Sequence, residues 1–295
     1  MDYKKPQSTL VQGGAGIYPL TTADQVILAD GSRLEKDGKI IADSAADSAK
    51  LGGKAPEYYL QPRNLLDNSD FTNLVAQAGI GGNHGTVTYA ADRWILDSGT
   101  VSYEAGVGLT LNGTIRQKLE FSPTGETSTF VGMASGAASI SYADGAVTIT
   151  SSGGVIKWAA LYEGSYTADT KPPYVPKGYA AELAECQRYF WRMKNSNNWG
   201  IFAVGWEQTS TDTRYIVHFP VQMRIKPSVA YAGNFCVTVG TSDVYEVNGM
   251  SVDSFSGTYI QLGVKIKTQS IVKNRLSKLT GYNDSTSHID FIADL

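Results

Sequence analysis

Residues 137–150 read AASISYADGAVTIT, two arms in which apolar residues alternate with small polar ones on either side of Asp144–Gly145. Alternation with period two places one set of side chains on each face of an extended strand. An Asp-Gly pair between such arms supplies the positive-φ residues that a tight hairpin turn needs. The stretch therefore predicts an antiparallel hairpin, and its neighbours extend the pattern. In 154–164, GVIKWAALYEG, Ile156, Trp158, Ala160 and Tyr162 alternate with Val155, Lys157, Ala159 and Leu161. Upstream, GVGLTLNGTIRQKLEF (106–121) offers two strands around Asn112–Gly113, and GTVTYAADRWIL (85–96) a strand ending at Trp94. Short strands at this spacing, with turn signals between them, predict an antiparallel sandwich or jelly roll over 63–176 with Trp94 and Trp158 in its core.

The flanking regions differ in texture. Residues 1–62 hold too few apolar side chains to close a core. They contain a turn signal at Asp30–Gly31, an Ala-rich stretch at 42–50 that makes at most two helical turns, and a Gly52–Gly53 stop ahead of Tyr58–Tyr59. This part is expected to be an extended attachment leader that orders only against a partner or other copies of itself. Past the first β region, TKPPYVPKG (170–178) carries three prolines and predicts a stiff connector. It leads into the one predicted helix, GYAAELAECQRYFWRMKN. There Tyr179, Leu183, Cys186, Phe190 and Met193 recur at spacings of four and three, the spacing of a coiled-coil seam. That seam is the expected oligomer interface, with a homotrimer as the expected assembly. From Trp199 onward strands return, among them TYIQLGVKIK, in which Ile260, Leu262, Val264 and Ile266 share a face. The fold class read from the chain is thus mostly β. An extended leader (1–62) precedes a β-sandwich (63–176), and a helix then leads into a C-terminal antiparallel β-sandwich (177–295).

Composition narrows function. The 295 residues are 42% hydrophobic and 18% charged with a net charge of −3, and Lys and Arg are scattered, so no basic surface for nucleic acid is encoded. No apolar run reaches the roughly 18 residues of a membrane span, and the amino terminus shows no secretory apolar region. Cys186 and Cys236 are in no CxxC spacing and are expected to be reduced and buried. His84, His218 and His288 form no HxH or HExxH pattern, so no metal site is expected, and no nucleotide fingerprint or nucleophile elbow is present. No catalytic residue and no cofactor are assigned. Asp67, Asn68 and Asp70 could offer oxygen ligands to calcium, but an Asx-type turn opening the first strand is the better reading.

Aromatic residues carry the remaining signal. In NSNNWGIFAVGWEQTSTDTRY (195–215), Trp199 and Trp206 sit among Asn, Gln, Ser and Thr. Sugars present C–H faces that stack on such rings, and amides satisfy their hydroxyls. Trp199, Trp206 and Tyr215 are the candidate glycan contacts, with burial in the core as the competing reading for each.

Several segments together resemble bacteriophage tail fibre and receptor-binding proteins. They are the leader GIYPLTTADQVILADGSRL, the hinge SAKLGGKAPEYYL, the start NLLDNSDF, the joint WAALYEGSYTADTKPPYVPKGYAAELAECQRYFWR and the ending HIDFIADL. The joint around AELAECQRYF is the most specific of these, and residues 195–280 match only in β texture. The resemblance implies a tail-proximal leader that binds other tail or baseplate proteins, a carbohydrate-binding-module-like jelly roll, and a trimeric C-terminal β domain. It places the protein in the virion tail, assembled in the host cytoplasm, and attaching the particle to a glycan on the bacterial surface. The alternatives are a cell-surface polysaccharide depolymerase and a purely structural baseplate or collar protein.

Overall fold

The structure is a computed structural model that describes residues 10–12, 15–19, 26–28, 62–240, 243–267 and 274–295. The chain forms two compact units, Met1–Pro62 and Arg63–Leu295. In the first, β1 (Leu10–Gln12), β2 (Ala15–Pro19) and β3 (Val26–Leu28) make an antiparallel sheet in that order. The expected turn at Asp30–Gly31, the Ala-rich stretch 42–50, Gly52–Gly53 and Tyr58–Tyr59 lie outside the described residues. The described chain is mostly β, its sheets are antiparallel, and it has one helix.

The second unit opens with a seven-stranded sheet. Its strands are β4 (Asn83–His84), β5 (Val87–Ala91), β6 (Trp94–Glu104), β7 (Gly108–Lys118), β8 (Thr127–Ser135), β9 (Ala138–Ala143) and β10 (Ala146–Glu163). The opening hairpin is present: Ala146 faces Ala143, and Asp144 and Gly145 both have positive φ, 50° and 72°, as a type I′ turn requires. Its second arm does not stop at Thr150. It runs on through GVIKWAALYE as one 18-residue strand, pairing with β7 and β9 along its first part and with β8 along its last.

Three local expectations are corrected here. Asn112–Gly113 is not a turn, because β7 passes straight through it; the turn after β6 lies at 105–107, with Gly106 at φ 79°. Gly113 serves a close crossing instead: a Cβ there would sit 2.1 Å from the Ser98 carbonyl oxygen. Trp94 begins β6 and does not end a strand, since Arg93 at φ 72° makes the turn before it. Trp94 is fully buried and donates from Nε1 to the Asn68 carbonyl at 2.9 Å, whereas Trp158 is only half-buried. Trp158 lies on the outside of the core, stacked at 4.9 Å under Tyr174 of the proline-rich connector.

The calcium alternative gives way to loop chemistry. Asp70 Oδ1 accepts from the Thr72 amide and hydroxyl at 3.0 and 2.6 Å, and the Asn68 side chain joins Val75 to Asp92. Among the described residues no group of three or more acidic, His or Cys side chains could hold a metal.

The helical seam is also corrected. Helix α1 spans Tyr179–Gln187, so Phe190 and Met193 lie beyond it, on β11 (Phe190–Lys194). The buried helical positions are Glu182 and Cys186. Glu182 Oε2 accepts the Asn68 amide at 2.5 Å, fixing the helix to the turn that opens the first sheet. Tyr179 is exposed and Leu183 half-buried, so the five residues do not form one face. The reason is tertiary pairing: β11 pairs with β19 (His288–Ile292), with Phe190 opposite Ile292 and Lys194 opposite His288. On its other side β19 pairs with β14 (Ser228–Ala232).

The remaining strands are β12 (Ile201–Glu207), β13 (Asp212–His218), β15 (Phe235–Val239), β16 (Asp243–Phe255), β17 (Tyr259–Ile266) and β18 (Leu276–Gly281). These antiparallel strands, expected as a sandwich, close into a barrel, β12-β13-β17-β16-β15-β18. Alternate positions fill its interior, with Tyr215, Val237, Ile260, Leu262, Val264 and Leu279 buried. The two cysteines are buried and free, as expected. No helix among the described residues is long and apolar enough to cross a membrane.

Candidate ligand-binding cleft

The glycan candidates separate in space. Tyr215 is 0% exposed, its hydroxyl 3.2 Å from Ser277 Oγ inside the barrel, so it is a core residue and not a surface contact. Its in-phase position on β13, between Thr213 and Val217, turns it inward. Trp206 is half-buried near the far end of β12, opposite Arg214 on one side and Leu276 on the other. Trp199 precedes β12 and is 50% exposed. It lines a cleft of about 590 Å³ with Tyr231, Gly233, Asn234, Phe235, Glu246, Val247, Lys267, Tyr282 and Asn283. That volume is within the range of about 300–1,000 Å³ that holds small ligands.

Three loops build this cleft, and backbone hydrogen bonds tie them together. In the first, the Asn197 amide donates to Asn195 Oδ1 at 2.9 Å, an Asx turn that presents Trp199. This loop is tied to the end of β18 and the residues that follow it: Gly281 N donates to the Gly200 carbonyl at 3.0 Å, and Asp284 N to that of Asn198 at 3.1 Å. The turn between β14 and β15 joins them, since Tyr282 N donates to the Asn234 carbonyl at 2.9 Å. Asp284 is the hub. Its Oδ2 accepts the Asn234 amide at 3.0 Å, and its Oδ1 accepts the amide and hydroxyl of Thr286 at 2.8 and 2.6 Å. The Thr286 hydroxyl, with the Asn234 and Thr286 amides, holds the carboxyl down at about 2, so it is ionised under all ordinary conditions.

The lining has a definite chemistry. Trp199 and Tyr282 meet edge to face at 5.3 Å, and Tyr231 packs edge-on against Phe235 at 5.8 Å. Trp199, Tyr231 and Tyr282 are all exposed although large aromatics favour burial. Asn234 and Asn283 are exposed between them. Glu246 and Lys267 form an ion pair at the rim, and the Lys267 amide also donates to the Glu246 carbonyl at 2.9 Å. Ring faces, exposed amides and a charge pair on one concave surface can hold a ligand that is apolar on its flat faces and hydroxylated around its edge.

Of these residues only Trp199 is marked by its local sequence. Tyr231 and Tyr282 come from distant segments, and the one available signal was GYNDSTSH (281–288), an Asx-turn pattern directly after a tyrosine. No protein family, curated protein or solved structure matches the chain.

Proposed function

We propose that the chain is a structural and adhesive component of a phage tail or related injection particle, which attaches the particle to a bacterial surface through glycan. The observation that carries this reading is the cleft around Trp199, Tyr231 and Tyr282, with its exposed rings, exposed amides and pre-tied loops. The first unit, Met1–Pro62, is the tail-facing part in this reading, and the sequence resemblance supports that assignment. Binding is favoured over hydrolysis because cleavage of a glycosidic bond uses two carboxyl groups facing each other across it. Among the described residues lining the cleft, Glu246 is the one carboxylate, and Lys267 holds it.

A homotrimer remains part of the proposal, but it cannot rest on a helical seam. The sheet edges left open beside the closed barrel are the surfaces it would use.

Staining of intact host cells with labelled protein tests the reading. Wild-type protein should decorate the cells, and Trp199→Ala should abolish the signal while the melting temperature is unchanged. Staining that survives both Trp199→Ala and Tyr282→Ala would overturn it.

A further inference from the structure

Among the described residues the cleft carries one charge pair, and its placement bears on which sugars can enter. Glu246 and Lys267 are each about half exposed, 50% and 56%, so both reach the solvent at the rim and a ligand can touch them. Lys267 is the one cation among the described lining residues. An anionic sugar would be drawn by the charge of that ammonium, and Glu246 already offsets it. Asp284, ionised and tied into the loops beneath Asn234 and Asn283, adds a further negative charge next to the cleft. The other polar side chains of the lining are neutral, and the Asn234 and Asn283 amides among them both donate and accept.

We infer that the cleft takes neutral hexose or N-acetylhexosamine units and excludes uronic and sialic acids, with Glu246 as the residue that sets this choice by occupying Lys267. The inference rests on the adhesive reading above. A carboxylate approaching the rim meets a cation whose charge Glu246 already offsets and a like charge beside it, so it gains little attraction to set against the hydration it loses. A neutral pyranose has no charge to desolvate: its hydroxyls would hydrogen-bond to the pair and its C–H face would lie on Trp199.

A printed panel of neutral oligosaccharides, alongside the same backbones bearing uronic or sialic acid, tests the choice. Wild-type protein should bind within the neutral set only. Glu246→Gln frees the ammonium and should raise binding of acidic members by about tenfold, the scale of one charge-assisted hydrogen bond. The double variant Glu246→Gln, Lys267→Met should lose that gain. Acidic members bound by wild type as well as neutral ones, with dependence on Trp199, would overturn the selectivity and leave the adhesive reading standing. A Glu246→Gln protein with an unchanged melting temperature and no gain on acidic members would overturn the role of Glu246. Silence of the whole panel would remove the adhesive reading and the inference together.

Discussion

The imidazole of His84 lies with Nδ1 2.9 Å from Oδ2 of Asp294, two side chains 210 positions apart. The ring is buried and sandwiched between Phe190 at 3.5 Å and Tyr89 at 3.9 Å, with Nε2 3.6 Å from Asp92 Oδ1. One histidine thus fastens the first sheet to β11 and to the residues that follow β19.

The joint is pH-dependent. Burial, the largest single influence, would lower the pKa of His84, but hydrogen bonds and charge from Asp294 and Asp92 together raise it above its ordinary 6.5. Other charged and titratable groups face the same joint. Arg93 and Tyr89 lie on its first-sheet side, Arg192 sits over the Phe190 ring, and Arg224 and Lys118 donate to the backbone carbonyls of Asp294 and Leu295. A raised folded pKa adds stability that is complete below the unfolded value and fades as pH climbs through the folded one. His84→Gln should therefore cost more in melting temperature at pH 5.5 than at pH 9. An equal loss at both would show that the ring acts through packing alone.

The two tryptophans of the first sheet should behave differently. Trp94→Ala empties a fully enclosed site and should cost about 3–5 kcal/mol in urea unfolding. Trp158→Ala removes a ring that Tyr174 covers from outside, and about 1–2 kcal/mol is expected. Equal costs would place Trp158 in the core after all.

Gly113→Ala should destabilise by about 1–3 kcal/mol or more, because the added methyl meets the β6 backbone and no side chain can move aside. Gly125→Ala is the control, since nothing lies within 4 Å of a Cβ there. Thermal melts of the pair decide it, and a Gly113 variant as stable as the Gly125 one would refute the close crossing.

Asp284→Ala should loosen all three cleft loops without touching the aromatic rings. Hydrogen exchange should rise at the Asn234 and Thr286 amides, which donate to this carboxylate. Its folded pKa is depressed, so its contribution is present above the ordinary 3.8 and fades as pH falls through about 2. Unaltered exchange at both amides would remove Asp284 as the hub.

Glu207 is fully buried in β12, and among the described residues neither of its carboxylate oxygens has a hydrogen-bond partner. Burial raises its pKa, so ionisation is penalised in the fold and the protein loses stability as pH climbs above the ordinary 4.5. Glu207→Gln should raise the melting temperature at pH 7 and change it little at pH 4. A lower melting temperature at pH 7 would mean that the charge is compensated.

Much of the β pattern was legible because it is local. The alternation of Ile260, Leu262, Val264 and Ile266 needs no partner to be read, and all four are buried. Asp144–Gly145 and Asn112–Gly113 carry the same turn chemistry, but only the first turns; the second is held straight by β6 and β10 pairing on either side of β7. The helix was read too long for a related reason. Its four-three spacing continues to Met193, yet Phe190 and Trp191 are good strand formers, and β19 was there to pair with them. In the cleft, Trp199 was visible among its amides, while Tyr231 and Tyr282 gain meaning only from loops that meet after folding.

Closure of the barrel has a kinetic consequence. Ile201 of β12 pairs with Thr280 of β18, the first and last strands of the ring, so the contact that completes it spans nearly the whole barrel sequence. The entropy cost of bringing such distant segments together is offset only by the contacts of the final pairing, which places folding among the slow, millisecond-to-second β topologies. Until β18 arrives, β12 and β15 each have one flank open to any neighbouring chain. Refolding should accordingly be second-order sensitive: efficient when dilute, and diverted into aggregates as the concentration of unfinished rings rises.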